Sequence, residues 1–330
     1  MLKTEISQLM NENGRVFEWA TKVDKGLNLN AEDKEISQVI DAWAKQIGER
    51  GVDSNNELAE YIVKTVSPEV YDVPDQLLDS MFNRGSIAEF DDFQITTTPK
   101  NTLAAREAGK AGTVDKSYLD FSNVKPTYKH LQIETELKYS DLRRNGFKTI
   151  ATMTTFAEEA LKNKMFYTIF SAIDAILASG EQVIDVAATT PSETAIDKLA
   201  LYLIDRDPNA FTVSLSKYAQ AIAKMSGYKE YMLSDQMKNE YNRYGLTQFY
   251  QGVKIGSISS AHKTGDGQLL LPDKRIFGIA GKIGDLDMRG DLRAYETMDN
   301  KREVIELKIS GFEFGWAFND LEKIAKVTLQ

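Results

Sequence analysis

The chain has no cysteine among its 330 residues. Disulfides, thiolate metal sites, iron–sulfur ligation and cysteine nucleophiles are therefore excluded. Histidine is scarce too, with only His130 and His262, so a histidine-rich metal cluster is ruled out and a Ser-His-Asp triad would have to use one of these two. No run approaches the roughly eighteen apolar residues of a membrane-spanning helix. The opening MLKTEISQLMNENGR carries no apolar signal core, and together these features predict a cytosolic-type product.

What is present is the composition of a folded protein. Hydrophobic residues make up 42% and charged residues 27%, which excludes wholesale disorder and leaves room for about two average domains with a sizeable core. The net charge of −9 is unevenly placed: Met1 to Phe82 holds eight Lys/Arg against sixteen Asp/Glu, and the remaining 248 residues carry only −1. Affinity for nucleic-acid phosphate comes mainly from Lys and Arg releasing counterions, so this balance argues against a nucleic-acid reader. A solvated acidic helical surface accounts for it.

The first eighty residues read as short amphipathic helices between breakers. Ile6, Leu9, Met10, Val16, Phe17 and Trp19 suggest a helix pair around Gly14, and Ile36, Val39, Ile40, Trp43 and Ile47 recur at helical spacing within Ala31 to Arg50. A third helix is predicted from Asn55 to Val66, ended by Ser67-Pro68, and a fourth from Asp75 to Phe82. The texture changes at Asn83. Ile87 to Thr98 has strand character, then Thr97 to Lys116 is small and polar with Gly109 and Gly112 inside it. Such a run cannot bury enough apolar surface alone to offset its ordering entropy. Leu131, Ile133, Leu137 and Tyr139 then alternate with polar residues as a strand. Two strands around a polar tip make a long projecting hairpin.

A helix is predicted from Lys148 to Ser179, closed by Gly180 and roughly 45 Å long at ~1.5 Å per residue. Its first half places Met153, Phe156, Ala157, Ala160 and Leu161 on one side. Phe166, Ile169, Phe170, Ile173, Ile176 and Leu177 follow on the opposite side, so the buried face turns by about half a revolution. A kinked helix in one core is one reading, and a strut packing on different bodies at its two ends is the other. Beyond it, Thr194 to Asp205 and Ser216 to Met225 read as helices, with Ser216 a cap. Phe211 to Leu215, Val253 to Ile258 and Arg275 to Ala280 read as strands of an α/β module. In the tail Ile305, Leu307 and Ile309 alternate at odd positions, and Phe312, Phe314, Trp316 and Phe318 at even ones. That change of parity predicts a bulge at Ser310-Gly311.

No catalytic constellation emerges. Gly278-Ile-Ala-Gly281-Lys282-Ile283 fails as a phosphate loop, with Ile276 where the first glycine belongs and Ile283 where Ser or Thr must hold magnesium. Gly265-Asp266-Gly267-Gln268 lacks the alternating oxygens of a calcium loop and reads as a hairpin turn. Glu158 with Glu159, and Asp285 with Asp287, are the neighbouring carboxylates such a composition makes inevitable, and spacing alone cannot make them an acid–base pair. His130 falls on the polar side of its strand and His262 in a polar turn. No Ser or Thr lies in G-x-S-x-G, and the basic cluster Arg143-Arg144 lacks interleaved aromatics.

The order of parts resembles the major capsid proteins of tailed bacteriophages with the Hong Kong 97 fold, over roughly Pro74 to Gln330. The stretches that carry the likeness are Phe90-Asp91-Asp92-Phe93 entering the hairpin, Phe156-Ala-Glu-Glu-Ala160 in the long helix, and Tyr250-Gln-Gly-Val-Lys-Ile-Gly256. Leu271-Pro-Asp-Lys-Arg-Ile-Phe-Gly278 and the closing Phe312-Glu-Phe-Gly-Trp-Ala-Phe318 add to it. The resemblance implies an α+β fold with an acidic helical N-terminal arm (1–83) and an extended loop lying across a neighbouring subunit (84–128). It further implies a peripheral domain (129–183) with its spine helix at 148–179, an axial domain (184–284), and return strands to both domains (285–330).

By the same resemblance the protein is not an enzyme and needs no cofactor or metal. It would assemble as pentamers and hexamers into an icosahedral shell around double-stranded phage DNA, which it touches without sequence preference. It would be made in the bacterial host cytoplasm and reside in the virion capsid. Its partners would be copies of itself, with scaffolding, portal and decoration proteins as further candidates and no membrane. Inter-subunit contacts are expected at Arg84, Lys100, Arg106, Lys110, Lys116 and Asn300. Some relatives join loop to neighbour through a Lys–Asn isopeptide bond; Lys100, Lys110 or Lys116 with Asn300 could fill those roles, although nothing in the spacing demands it. Three alternatives stay open: an encapsulin-like bacterial compartment shell, another virion component of the tail or decoration type, and an acidic hydrolase.

Overall fold

The computed structural model describes residues 6, 9, 13–50, 57–71, 75–88, 91, 96–100, 120–225 and 249–330, with the backbone alone at 13–14, 50, 71, 96–100 and 120–123. The hairpin tip falls outside the described residues, as do Phe90, Asp92 and Phe93.

The N-terminal helices are α1 (Asn13–Asp24), α2 (Ala31–Arg50), α3 (Glu57–Tyr71) and α4 (Gln76–Met81). In α3 the expected stop at Ser67-Pro68 does not occur, and the helix runs through Pro68 to Tyr71. Burial outweighs the lost backbone bond, because Val66 and Val70 on either side of the proline both sit in the core. Asp75 begins α4 as a cap, its carboxylate accepting from the amides of Leu77 and Leu78 at 3.0 Å.

The predicted arm is not detached from the body. Trp19, Trp43 and Tyr61 are buried in the same continuous core as the rest of the chain. The Trp19 indole N–H donates to Ser37 Oγ at 2.9 Å, and the rings of Trp43 and Tyr61 meet with centroids 5.5 Å apart. The long helix α5 (Tyr139–Ile176) lies under this layer. It begins nine residues earlier than its spacing predicts and breaks its helical dihedrals at Asn145. The extra turns hold because Tyr139 and Leu142 are buried, and Gly146 lets α2 approach closely, since a Cβ there would stand 2.6 Å from that of Ala44.

The half-revolution of the buried face of α5 is gradual. Ala157, Leu161, Met165, Ile169, Ile173 and, just past the helix, Leu177 are all buried and four residues apart. Each step of four advances the face by about 40°, which accumulates to about 200° over five steps. One end of α5 therefore faces the N-terminal helices, and the other faces a second sheet, where Phe170 meets Phe277 at 5.6 Å between centroids. Phe156 and Ile176, which the sequence pattern assigns to the buried faces, are exposed instead, at 58% and 46%.

Two main sheets flank α5. The first holds β1 (Phe82–Ile87), β4 (Thr127–Lys138), β10 (Gly284–Arg289), β11 (Arg293–Asp299) and β12 (Val304–Phe318). Strands β10 and β11 succeed one another along one edge of β12, and β4 runs antiparallel along the other. The register of β12 shifts between Ile309 and Phe312 at Gly311, whose φ is 91°. The bulge keeps Ile305, Leu307, Ile309, Phe312, Phe314 and Trp316 all inward. The second sheet runs β5 (Val183–Val186), β13 (Ile324–Leu329), β9 (Arg275–Ile279), β6 (Phe211–Leu215), β8 (Val253–Ile258) and β7 (Phe249–Tyr250). Helices α6 (Glu193–Ile204) and α7 (Ser216–Ala223) accompany it. Ser192 caps α6. Ser216 does not cap α7, because its hydroxyl donates to the Ile258 carbonyl at 3.3 Å and Leu215 occupies the cap position. A third, two-stranded sheet pairs β2 (Thr96–Lys100) with β3 (Asp120–Val124). No helix among the described residues is long and apolar enough to cross a membrane.

Candidate inter-subunit surface

The ribbon of β2 and β3 pairs only with itself among the described residues, from Thr96 opposite Val124 to Lys100 opposite Asp120. A lone two-stranded ribbon is marginal in water and needs further strands or a packed face to persist. Its entry is tied to the body by Arg289, whose guanidinium donates to the Asp91 carbonyl at 2.9 Å. At its exit only Lys125 and Pro126 intervene before β4.

Beyond that junction, β4 and α5 enclose an open groove of about 720 Å³. Ile133 and Leu137 of β4, Ile309 of β12, and Met153, Phe156 and Ala160 of α5 form its apolar lining. Glu134, Asp141 and Lys148 supply its charges. Glu134 lines the groove together with Ile133 and Thr135, although consecutive strand residues point to opposite faces. The groove therefore wraps the edge of β4 as well as one face. Sequence patterning missed this surface because Phe156 falls in register with core residues; the apolar side of α5 is wider than the described residues cover.

Away from α5, the first sheet turns a charged face outward. Lys308 pairs with Glu134 at 2.7 Å, Arg302 with Glu136 at 2.8 Å, and Arg289 with Glu313, whose other oxygen lies 3.3 Å from His130 Nδ1. The Lys308 and Arg302 pairs are solvent-exposed and screened, so they add little to stability, while the Arg289–Glu313 pair is half-buried. On the same face Asp287 has its carboxyl pushed above the usual range, first by burial and then by neighbouring Asp285.

The residues expected to touch a neighbour are scattered. Arg84 is engaged within its own chain, donating to Asp79 at 3.3 Å. Lys100 ends β2 opposite Asp120, while Arg106, Lys110 and Lys116 lie outside the described residues. Asn300 is exposed in the turn between β11 and β12, where its Oδ1 accepts from the Tyr139 hydroxyl at 3.0 Å. Burial, together with Glu296, Asp299 and Glu303 nearby, raises the Tyr139 phenol and keeps it a neutral donor. The turn at Gly267 forms as the sequence predicts, with its amide donating to the Thr264 carbonyl at 2.8 Å. Among the described residues no three His, Asp or Glu side chains converge as a metal site would require.

No family model matches the chain, and no curated protein matches it. Solved structures do. The capsid of an empty GTA particle superposes with a TM-score of 0.54 at 12% identity, covering 78% of this chain and 91% of that one. A structure from Microbacterium phage Oxtober96 gives 0.53 at 10% identity, covering 78% and 92%. One from Gordonia phage Cozz gives 0.50 at 15%, covering 76% and 84%. This chain has the Hong Kong 97-type fold of tailed-phage major capsid proteins.

Proposed function

We propose that the chain is a shell-forming subunit, the major capsid protein of a tailed phage. It assembles as pentamers and hexamers into an icosahedral shell around double-stranded DNA. The observation that carries the reading is the ribbon of β2 and β3, a paired element with no third strand among the described residues. Shell assembly supplies what one copy lacks. An arm burying on the order of 1,000 Å² against neighbours gains about 25 kcal/mol before ordering costs.

In this reading 84–128 is the extended loop that crosses a neighbour, and α5 with the first sheet is the peripheral domain. The second sheet with α6 and α7 is the axial domain, grouped around the symmetry axes. The chain works through assembly and catalyses nothing. Packaged DNA meets an acidic protein and is held without sequence readout. Scaffolding, portal and decoration proteins would join the shell after or alongside self-association. Synthesis in the host cytoplasm precedes incorporation into the virion.

Electron microscopy and sedimentation of the purified protein test this. Closed particles are expected from the intact chain. A variant lacking Pro99 to Asp115 is expected to remain folded and sediment as small species. A compact monomer at every concentration overturns the proposal, and normal shells from the deletion overturn the role of the loop.

A further inference from the structure

We propose that a second groove, between α4 and the second sheet, binds an amphipathic monoanion of the alkyl carboxylate class, with its headgroup at Lys254 and its chain running along β8 toward Ile258. The site lies within one copy, so it goes beyond the shell reading and does not depend on it.

The groove holds about 530 Å³, within the range of small-molecule sites. Leu77 and Ser80 of α4 form one wall, and β6 with β8 forms the floor. Register fixes what that floor presents. In the parallel β6–β8 pair Phe211 stands beside Lys254 and Val213 beside Gly256, with Ile258 two residues further on. The alternate residues Thr212 and Ile255 belong to the opposite face, which meets Ile196 and Leu199 of α6.

Along β8 the floor therefore runs from an ammonium, past a residue without a side chain, to an apolar end. Glycine is required in the middle, because a Cβ at Gly256 would stand 2.8 Å from the Thr212 carbonyl oxygen. At ~3.3 Å per residue Lys254 lies roughly 13 Å from Ile258, the reach of a medium alkyl chain.

Charge selects the headgroup. Lys254 is the one charged residue lining this groove among the described residues. The other basic residues on the strands of this sheet, Arg275 and Lys326, are both held by Asp174. The Lys254 ammonium has no ion pair or hydrogen bond among the described residues. A carboxylate placed there gains a charge-assisted bond, while its tail is removed from water against Leu77, Phe211 and Ile258. The groove beside β4 offers no such match, since Glu134 and Asp141 outnumber Lys148.

Titration calorimetry of the purified chain with dodecanoate, below the concentration at which it forms micelles, tests the site. Saturation at one ligand per chain is expected, with dodecanol, which lacks the charge, binding about tenfold or more weakly. Lys254→Glu, at an exposed position, should keep the wild-type circular dichroism and melting and weaken dodecanoate by a similar factor, whereas Lys254→Arg should retain it. Phe156→Glu, in the other groove, should leave binding unchanged. Absence of saturable binding overturns the proposal. So does equal affinity for dodecanoate and dodecanol, or an affinity that Lys254→Glu leaves intact. None of these outcomes bears on whether the chain forms particles, so the shell reading stands or falls separately.

Discussion

Asp174, near the end of α5, receives the ammonium of Lys326 from β13 at 2.6 Å and the Arg275 Nε from β9 at 3.0 Å. The Lys326 side chain is only 7% exposed, and its second bond goes to the Asp174 carbonyl at 2.9 Å. A buried ammonium without its counter-charge is expensive, so the pair locks the far end of α5 onto the second sheet.

Asp174→Ala should therefore destabilise the chain by about 2–3 kcal/mol, at or just below the lower end of the ~3–5 kcal/mol for breaking a buried pair, because Asp174 itself is partly solvated. Adding Lys326→Met to that variant should recover most of the loss, since the uncompensated charge goes with it. Urea unfolding of the two variants decides the matter. A double variant no better than Asp174→Ala would mean that the cost lies in packing and not in charge.

Gly311 holds the two halves of β12 in phase. Its φ of 91° lies in the left-handed region, and a Cβ there would collide with the Asp291 carbonyl oxygen. Gly311→Ala should cost about 1–3 kcal/mol from backbone strain, more if the collision is not relieved. The expected readout is a lower thermal midpoint with part of the Trp316 environment lost from the near-ultraviolet circular dichroism. An unchanged spectrum and midpoint would show that the bulge can move along the strand.

Asp287 ties stability to pH. Burial and Asp285 raise its carboxyl in the folded state, so the folded chain holds that proton to higher pH than the unfolded chain does. The stabilisation is complete below the unfolded value and is lost as pH rises through the folded one. Asp287→Asn should raise the midpoint at neutral pH and flatten its decline between pH 4 and 7, within about the range where carboxylates titrate. Parallel curves for variant and wild type would assign the decline to other groups.

Much of this architecture was legible because period and breaker residues act locally. The parity change of Ile309 and Phe312 placed the bulge at Gly311, and alternation of Ile305 with Leu307 placed the inward face. What failed depended on neighbours. Pro68 reads as a stop, yet Val70 beyond it is buried and draws the helix onward. Phe156 reads as core, yet the helix face it shares with Ala157 is wider than the surface that covers it. The pairing of β4 with β12, on which the groove depends, joins segments so distant in sequence that no local pattern reports it.

The N-terminal layer should remain part of the working subunit. Trp19, Trp43 and Tyr61 have almost no solvent exposure, and Gly48 and Gly146 permit an α2–α5 approach that a larger residue would obstruct. Trp43→Ala alone should cost about 3–5 kcal/mol, a large share of the ~5–15 kcal/mol by which domains are stable. Removing the first 71 residues would uncover Leu142, Ile150 and the rest of that face of α5 at once. The truncated chain should be insoluble or lack a cooperative thermal transition, and mass spectrometry of assembled particles should find α1 to α3 intact. A stable, cooperatively melting fragment beginning near residue 72, or particles built from it, would show that α5 is covered by something other than residues 1–71.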